Sequence, residues 1–305
     1  MPKIQYIRRR FQPAALKMIA QANAIIEVYR AQGFRLTVRQ LYYQFVSKGL
    51  LANTVRNYGR LASLVNKARL NGDVDWDAIE DRTRNLSKLP HWVDPPDILT
   101  AVAEQFRIDK WASQPYRIEV WIEKEALAGV FEGVCQEERV PFFCCRGYTS
   151  QSEMWSAAMR LIAYTRNSKH QKPVILHFGD HDPSGIDMTR DITERLEMFG
   201  CPLILKRLAL NMDQVKQYNP PPNPAKEVDP RFVGYLNQYG DESWELDALE
   251  PRVLADLVRG AIKGLRSNKS GWKKVTALEE EHKKLLKLTA DEWSSVSGYL
   301  QDQFE

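Results

Sequence analysis

Apolar residues recur at helical spacing through PAALKMIAQANAIIEVYRAQG, and the run stops at Gly33, a residue suited to ending a helix. Thr37 followed three places later by Gln40 is a capping-box pattern that predicts a second helix from that point. On it Val38, Leu41, Tyr42, Phe45 and Val46 fall on one stripe, which predicts their burial. Tyr43 lies off that stripe with Arg39, Gln40, Gln44 and Ser47, so its phenol is predicted to face outward one turn from the Arg39 guanidinium. TVRNYGRLASLVNKARLNG then reads as a third, basic helix ending in the turn pair Asn71 and Gly72. Three short helices whose last member is basic predict a helix-turn-helix or winged-helix module over residues 1–95, with that last helix against DNA.

KLPHWVDPPDIL holds three prolines and predicts a boundary, with a connector over residues 96–111. Beyond it the rhythm changes. YRIEVWI, VPFFCCRGY, PVILHFGD and LILKRLAL read as strands, and the helical patterns EKEALAGVFEGV, a segment opened by the capping pair Ser150 and Glu153, and DPSGIDMTRDITERLEMFG alternate with them. That alternation predicts an α/β unit over residues 112–270, a mostly parallel sheet flanked by helices. The proline-rich NPPPNPAKEVDPRF is predicted as a loop, and LNQYGDESWELDALEPRVLADLVRGAI as a resumed helical pattern. Residues 271–305 form a predicted helical tail in which Thr289 and Glu292 make a further capping pair.

The 305 residues suffice for about two domains, and a composition 44% hydrophobic and 27% charged is that of a globular protein. No apolar run approaches a membrane span, and the start MPKIQYIRRRF lacks an apolar signal core, so a cytosolic location is the expectation. Cys135, Cys144, Cys145 and Cys201 have neither zinc-site spacing nor the density of a disulfide scaffold, which predicts reduced thiols. The net charge of +4 conceals a split. Residues 1–70 carry thirteen Lys and Arg against the single acid Glu27, or +12, and the remainder carries −8. A basic unit of this kind fits a phosphate backbone, and Arg35, Arg56, Arg60, Lys67 and Arg69 are the candidate contacts to double-stranded DNA.

Three acids follow directly on two predicted strands: Glu123 after VWI, and Asp180 and Asp182 after LHF. Functional groups gather at such strand ends, and oxygen ligands of this kind suit magnesium. Each acid also has a structural role available, since Asp182 before Pro183 is a good helix N-cap and Glu123 complements a helix dipole. His177, His181 and Asp187 flank the acids, the histidines as structural or supporting groups rather than zinc ligands. Tyr43 has the ordinary phenol's weak nucleophilicity unless a cation such as Arg39 stabilises its phenolate.

IEKEA followed by GDHDPSG in an alternating strand and helix unit resembles the Toprim domain of topoisomerases, primases and some nucleases. With TVRQLYY in a preceding helical module, residues 30 to 265 or so resemble the A subunit of topoisomerase VI and the related protein that makes meiotic double-strand breaks, in a stand-alone compact form. The resemblance implies an N-terminal winged-helix (CAP-like) domain followed by a Toprim domain. It implies that Tyr43 attacks DNA to form a 5′-phosphotyrosyl link, that Arg39 assists, and that Glu123, Asp180 and Asp182 hold Mg2+. It further implies a homodimer in which each tyrosine meets its partner's metal site. Ser184 between Pro183 and Gly185, and GYTSQSEM, depart from the family pattern. No GxxxxGK[ST] loop is present, so strand passage would need a separate ATPase subunit. Two other readings remain open, a Toprim nuclease using metal-activated water and a DNA-binding protein without cleavage.

Overall fold

The structure is a computed structural model that describes residues 3–79, 89–166 and 171–303. Its first unit contains three helices, α1 (Pro13–Ala31), α2 (Val38–Ser47) and α3 (Val55–Asn71). Each boundary has a local cause. Pro13 opens α1, both capping-box bonds form between Thr37 and Gln40 at the start of α2, and the Thr54 hydroxyl accepts from the Asn57 N–H at the start of α3. The helices share one core, built from Ile19, Ile25 and Ile26 of α1, Leu41, Tyr42 and Phe45 of α2, and Leu61 and Val65 of α3. Among the described residues the unit holds no strand pair, only an isolated bridge between Leu36 and Ile79. The described residues of this unit thus show three helices.

The second unit is α/β. Strands β1 (Tyr116–Ile122), β2 (Phe142–Cys144), β3 (Lys172–Phe178) and β4 (Ile204–Ala209) form one parallel sheet in the order β2-β1-β3-β4. The chain winds outward from β1 to β2, then crosses back to β3 and on to β4, so the direction of winding reverses between β1 and β3. Loops leaving the carboxyl ends of those two strands diverge and leave a crevice. The strand residues alternate between two helical layers. Ile118, Val120, Ile122, Val174, Leu176 and Phe178 pack with α5 (Ala128–Glu138) and α10 (Pro251–Leu265). Trp121 and Ile175 face α6 (Gln151–Arg166) and α7 (Pro183–Met198) on the other side.

The predicted connector over 96–111 carries a helix: Pro95 and Pro96 occupy the first turn of α4 (Pro95–Gln105), where proline is tolerated, and α4 packs along α11 (Lys269–Asp291). Two expectations need correction. The helical pattern across 236–262 is broken. Between α8 (Met212–Tyr218) and α10 lie the short strand β5 (Asn223–Pro224), α9 (Phe232–Tyr239), Gly240 at a positive φ, the short strand β6 (Glu242–Ser243) and a 3-10 turn, Leu246–Ala248. Thr289 is not a cap, because α11 runs through it and its hydroxyl donates to the Leu285 carbonyl; Glu292 precedes α12 (Trp293–Asp302). None of the four cysteines is in a disulfide.

Glu279, with no exposed side-chain surface, ties α11 to the α/β unit. Its carboxylate accepts from the Ile108 N–H at 2.8 Å and pairs with Arg139 at 2.9 Å, with Lys110 and Lys283 each at 3.5 Å. Removing that carboxylate takes the shared anion from nearly buried Lys110 and partly buried Arg139 and leaves the Ile108 N–H without its acceptor. Glu279→Ala is expected to destabilise the fold by about 3–5 kcal/mol, read from urea unfolding at pH 7.

Candidate functional site

Glu123 leaves β1 and Asp180 leaves β3 at the reversal point, and the Glu123 N–H donates to the Phe178 carbonyl at 2.9 Å. The Glu123 carboxylate in turn accepts from the Asp180 N–H at 2.8 Å. Asp182 caps α7, its Oδ1 accepting from the Gly185 N–H at 2.6 Å and the Ser184 hydroxyl at 3.0 Å. Gly185 is required there, since a side chain would collide with the Asp180 carbonyl. Arg207 on β4 binds this loop from beneath, donating to the carbonyls of Gly179 at 3.1 Å, Asp180 at 2.5 Å and Gly185 at 2.9 Å.

Asp180 faces elsewhere. Its Oδ1 accepts from the Leu246 N–H and its Oδ2 pairs with Lys124 Nζ, both at 2.7 Å. Lys124 also bonds Glu245 and reaches Asp247 Oδ1 at 3.3 Å, so one ammonium serves three carboxylates. Arg39 reaches into the same cluster from α2, meeting Glu245 Oε2 at 3.0 Å and Asp247 Oδ2 at 3.2 Å. Burial, assisted by Glu123, Glu245 and Asp247, raises the Asp180 carboxyl well above the usual range against the opposing Lys124. Burial likewise raises Glu123, with Asp182 adding to it. For Glu245 burial is outweighed by Lys124, Arg39 and Lys226, which hold it below its usual value.

The prediction that Tyr43 faces solvent is corrected. Tyr43 is 5% exposed, and Gln40 and Gln44 beside it are 3% exposed each. The face of α2 turned away from the helical core packs against the 3-10 turn Leu246–Ala248, so α2 is covered on two sides. The Arg39 guanidinium carbon lies 5.8 Å from the centre of the Tyr43 ring. Burial, then Asp247 and Glu245, push the Tyr43 phenol up to about 12, despite the opposing Arg39. Tyr42 is core as expected; its hydroxyl accepts from the Thr54 N–H at 2.7 Å and donates to the Thr54 carbonyl at 2.9 Å.

A cleft of about 490 Å3 opens between the two units, lined by Arg39 and Tyr43 from α2, Tyr58 from α3, and Asp182, Lys226 and Glu245. Arg39, Tyr43 and Asp182 thus come together, whereas Asp180 is held inside the Lys124 cluster. Asp187 belongs to another network, bonded to Arg190 and Arg231 at 2.7 Å each and to the Tyr148 hydroxyl at 2.6 Å. Burial works against it, but Arg190, Tyr148 and Arg231 hold its carboxyl down at about 2. His177 and His181 are buried, and burial followed by Arg207 lowers them to about 3 and about 4. Both are neutral and structural: His177 bonds Thr189, and His181 bonds the Tyr235 hydroxyl at 2.7 Å. Of the basic candidates, Arg35, Arg56, Arg60 and Lys67 are exposed. Arg69 is committed within the module, stacked 4.5 Å over Trp76 and donating to its carbonyl at 2.8 Å.

Lys124, Glu245 and Asp247 were missing from the sequence-derived set. Lys124 sits inside IEKEA beside Glu123, and the signal for the two acids was Gly240, which breaks the helical pattern just before them. Among the described residues no three His, Cys, Asp or Glu side chains form a metal-holding group. Magnesium commonly uses one or two carboxylates plus waters and substrate phosphates, and Glu123 and Asp182 supply two such carboxylates, Asp182 adding to the rise at Glu123. The donor chemistry fits a hard cation at those two residues, and Asp180 does not complete it.

Two outcomes follow from the charge cluster. Lys124→Met leaves Asp180, Glu245 and Asp247 without their shared ammonium and is expected to cost about 3–5 kcal/mol in urea unfolding, with half-exposed Arg39→Met costing nearer 1 kcal/mol. The folded state favours the neutral Tyr43 phenol, so its contribution to stability is complete below the free-phenol value and lost as pH rises through about 12. The difference in ultraviolet titration between the wild type and Tyr43→Phe is expected to show that single ionisation near 12, and Glu245→Gln is expected to move it downward. No family model, curated protein or solved structure matches the chain, so its own geometry carries the reading of this site.

Proposed function

We propose that the chain binds duplex DNA and cleaves it as a magnesium-dependent tyrosine transesterase, with a Toprim-type α/β unit and a DNA-binding helical module of winged-helix type. The observation that carries this is the cleft in which Tyr43 and Arg39 face Asp182 and Glu245 at the carboxyl edge of the sheet. A phosphodiester entering there would meet the phenol on one side and the carboxylate edge on the other. Magnesium, held by Glu123 and Asp182, would offset charge on the phosphate.

The chain's own residues set the remaining chemistry. Tyr43 gives its proton to water, its oxygen bonds to phosphorus as the bond from phosphorus to the 3′ oxygen breaks, and that oxygen takes a proton from water to become a 3′ hydroxyl, so the phosphodiester is exchanged for a 5′-phosphotyrosyl ester. Arg39 favours the phenolate, while Asp247 and Glu245 oppose it. The arrangement described is thus a resting one, in which the phenol is buried and neutral. A backbone phosphate that draws Arg39 away from Glu245 weakens the contact covering Tyr43. A homodimer would place one such centre on each strand of a duplex, as a double-strand break requires. Strand passage would require ATP to act through a separate ATPase subunit, within the cytosol.

The burial of Tyr43 favours a second reading, in which the protein binds DNA and does not cut it. Supercoiled plasmid, magnesium and purified protein, stopped with denaturant, distinguish the readings. Protein attached to 5′ ends is the expected result, falling more than about 100-fold in Tyr43→Phe. Free ends made equally by Tyr43→Phe would indicate hydrolysis by metal-activated water, and DNA binding with no product would establish the second reading.

A further inference from the structure

The N-terminal arm, residues 3–12, is pinned to the end of α3. The Tyr6 and Ile7 N–H groups donate to the Leu70 carbonyl at 2.9 and 3.0 Å, and the Arg9 N–H donates to Asn71 Oδ1 at 2.6 Å. Tyr6 meets Trp76 edge-on at 5.7 Å. Gly72 permits the close approach: its φ is +80°, and a Cβ there would lie 3.1 Å from the Gln5 nitrogen. The arm is held as part of the module.

Its position creates a second cleft, of about 570 Å3, with Arg9 and Arg10 of the arm on one side and Arg60, Ser63 and Lys67 of α3 on the other. Among the described residues the ion pairs within the helical module belong to Arg30, with Glu27 and Asp75, and none reaches these four cations. On α3 the exposed residues Arg56, Arg60, Ser63 and Lys67 follow one another at helical spacing, a stripe of ~16 Å at 1.5 Å per residue. The first turns of the same helix, through Thr54, Val55 and Tyr58, line the Tyr43 cleft. Four like charges held together, with no acid paired to them among the described residues, make an anion site.

We propose that the arm and α3 form a clamp for the phosphate backbone of duplex DNA, and that the α3 stripe leads this backbone toward the Tyr43 cleft. Arg9 and Arg10 are its new contacts. This rests on the DNA-binding part of the proposed function and not on cleavage. A duplex is the committed partner because single strands are gripped through stacked bases, and the one aromatic in this cleft, Phe11, is packed against the helical core.

The test is fluorescence anisotropy of a labelled duplex across a salt series, using the full chain and the variants R9Q/R10Q, R60Q and R9K/R10K, each checked by thermal melting. Each lost phosphate contact reduces the slope of log affinity against log salt by about 1, so R9Q/R10Q is expected to lose about 2 and R60Q about 1, while R9K/R10K keeps the wild-type slope. Affinity of R9Q/R10Q at low salt is expected to fall about 10-fold or more. An unchanged slope in R9Q/R10Q with wild-type melting overturns the clamp while leaving DNA binding by the protein intact. Wild-type protein with no salt-dependent binding overturns the DNA reading itself. Tighter binding of the matching single strand than of the duplex overturns the choice of partner.

Discussion

The ammonium of Lys124 is the interaction on which the arrangement depends. Asp180, Glu245 and Asp247 converge on it from two separate parts of the α/β unit, and Asp247 has no exposed side-chain surface. Three carboxylates removed from water repel one another strongly, and such a group persists only where cations and backbone donors share the cost of desolvation. Lys124 and the Leu246 N–H supply part of that requirement, and Arg39 adds to it from a different unit. The docking of α2 onto the 3-10 turn therefore has an electrostatic cause as well as an apolar one. Partly buried Phe34 packs against both hydrophobic cores and adds the apolar contribution.

The sheet explains why acids gather there. With the order β2-β1-β3-β4, the loops after β1 and β3 run to opposite sides, and a crevice at their carboxyl ends follows from connectivity alone. Glu123 and Asp180 are the first polar side chains past the ends of those two strands. Arg207, on the strand next to β3, fixes the loop through backbone carbonyls, and Asp182 of that loop lines the cleft.

Much of this was legible in the chain, because period-two and period-3.6 patterns report burial within one unit. The four strands, the Thr37 cap and the Tyr42 stripe all depend on local spacing, and the structure has them where that spacing placed them. Tyr43 was misplaced for the same reason. Periodicity identifies the face of α2 that meets its own helical core and is silent about a second face covered by a distant segment. Gln40 and Gln44 are polar and nevertheless buried, so nothing in their composition distinguishes an interface between units from a surface. Residues 95–105 and 240–250 show the complementary limit: proline can begin a helix as well as punctuate a linker, and a single glycine can interrupt a helical rhythm.

The charge split between the two ends of the chain has an internal consequence. Part of the basic excess is consumed by the protein's own acids, since Arg39 pairs with Glu245 and Asp247 and Arg30 pairs with Asp75. The α/β unit is thus already an anionic ligand of the helical module, held at Arg39. Under the proposed function, a DNA backbone approaching that module would compete with Glu245 for the same guanidinium. Because Arg39 lowers the cost of a Tyr43 phenolate while Glu245 and Asp247 raise it, exchanging a carboxylate neighbour for a phosphate keeps an anion near the phenol. If Tyr43 is the proposed nucleophile, substrate entry alone would not activate it through charge. Activation would require the α2 face to separate from the Leu246–Ala248 turn, so that Asp247 is removed along with Glu245 and water reaches the phenol.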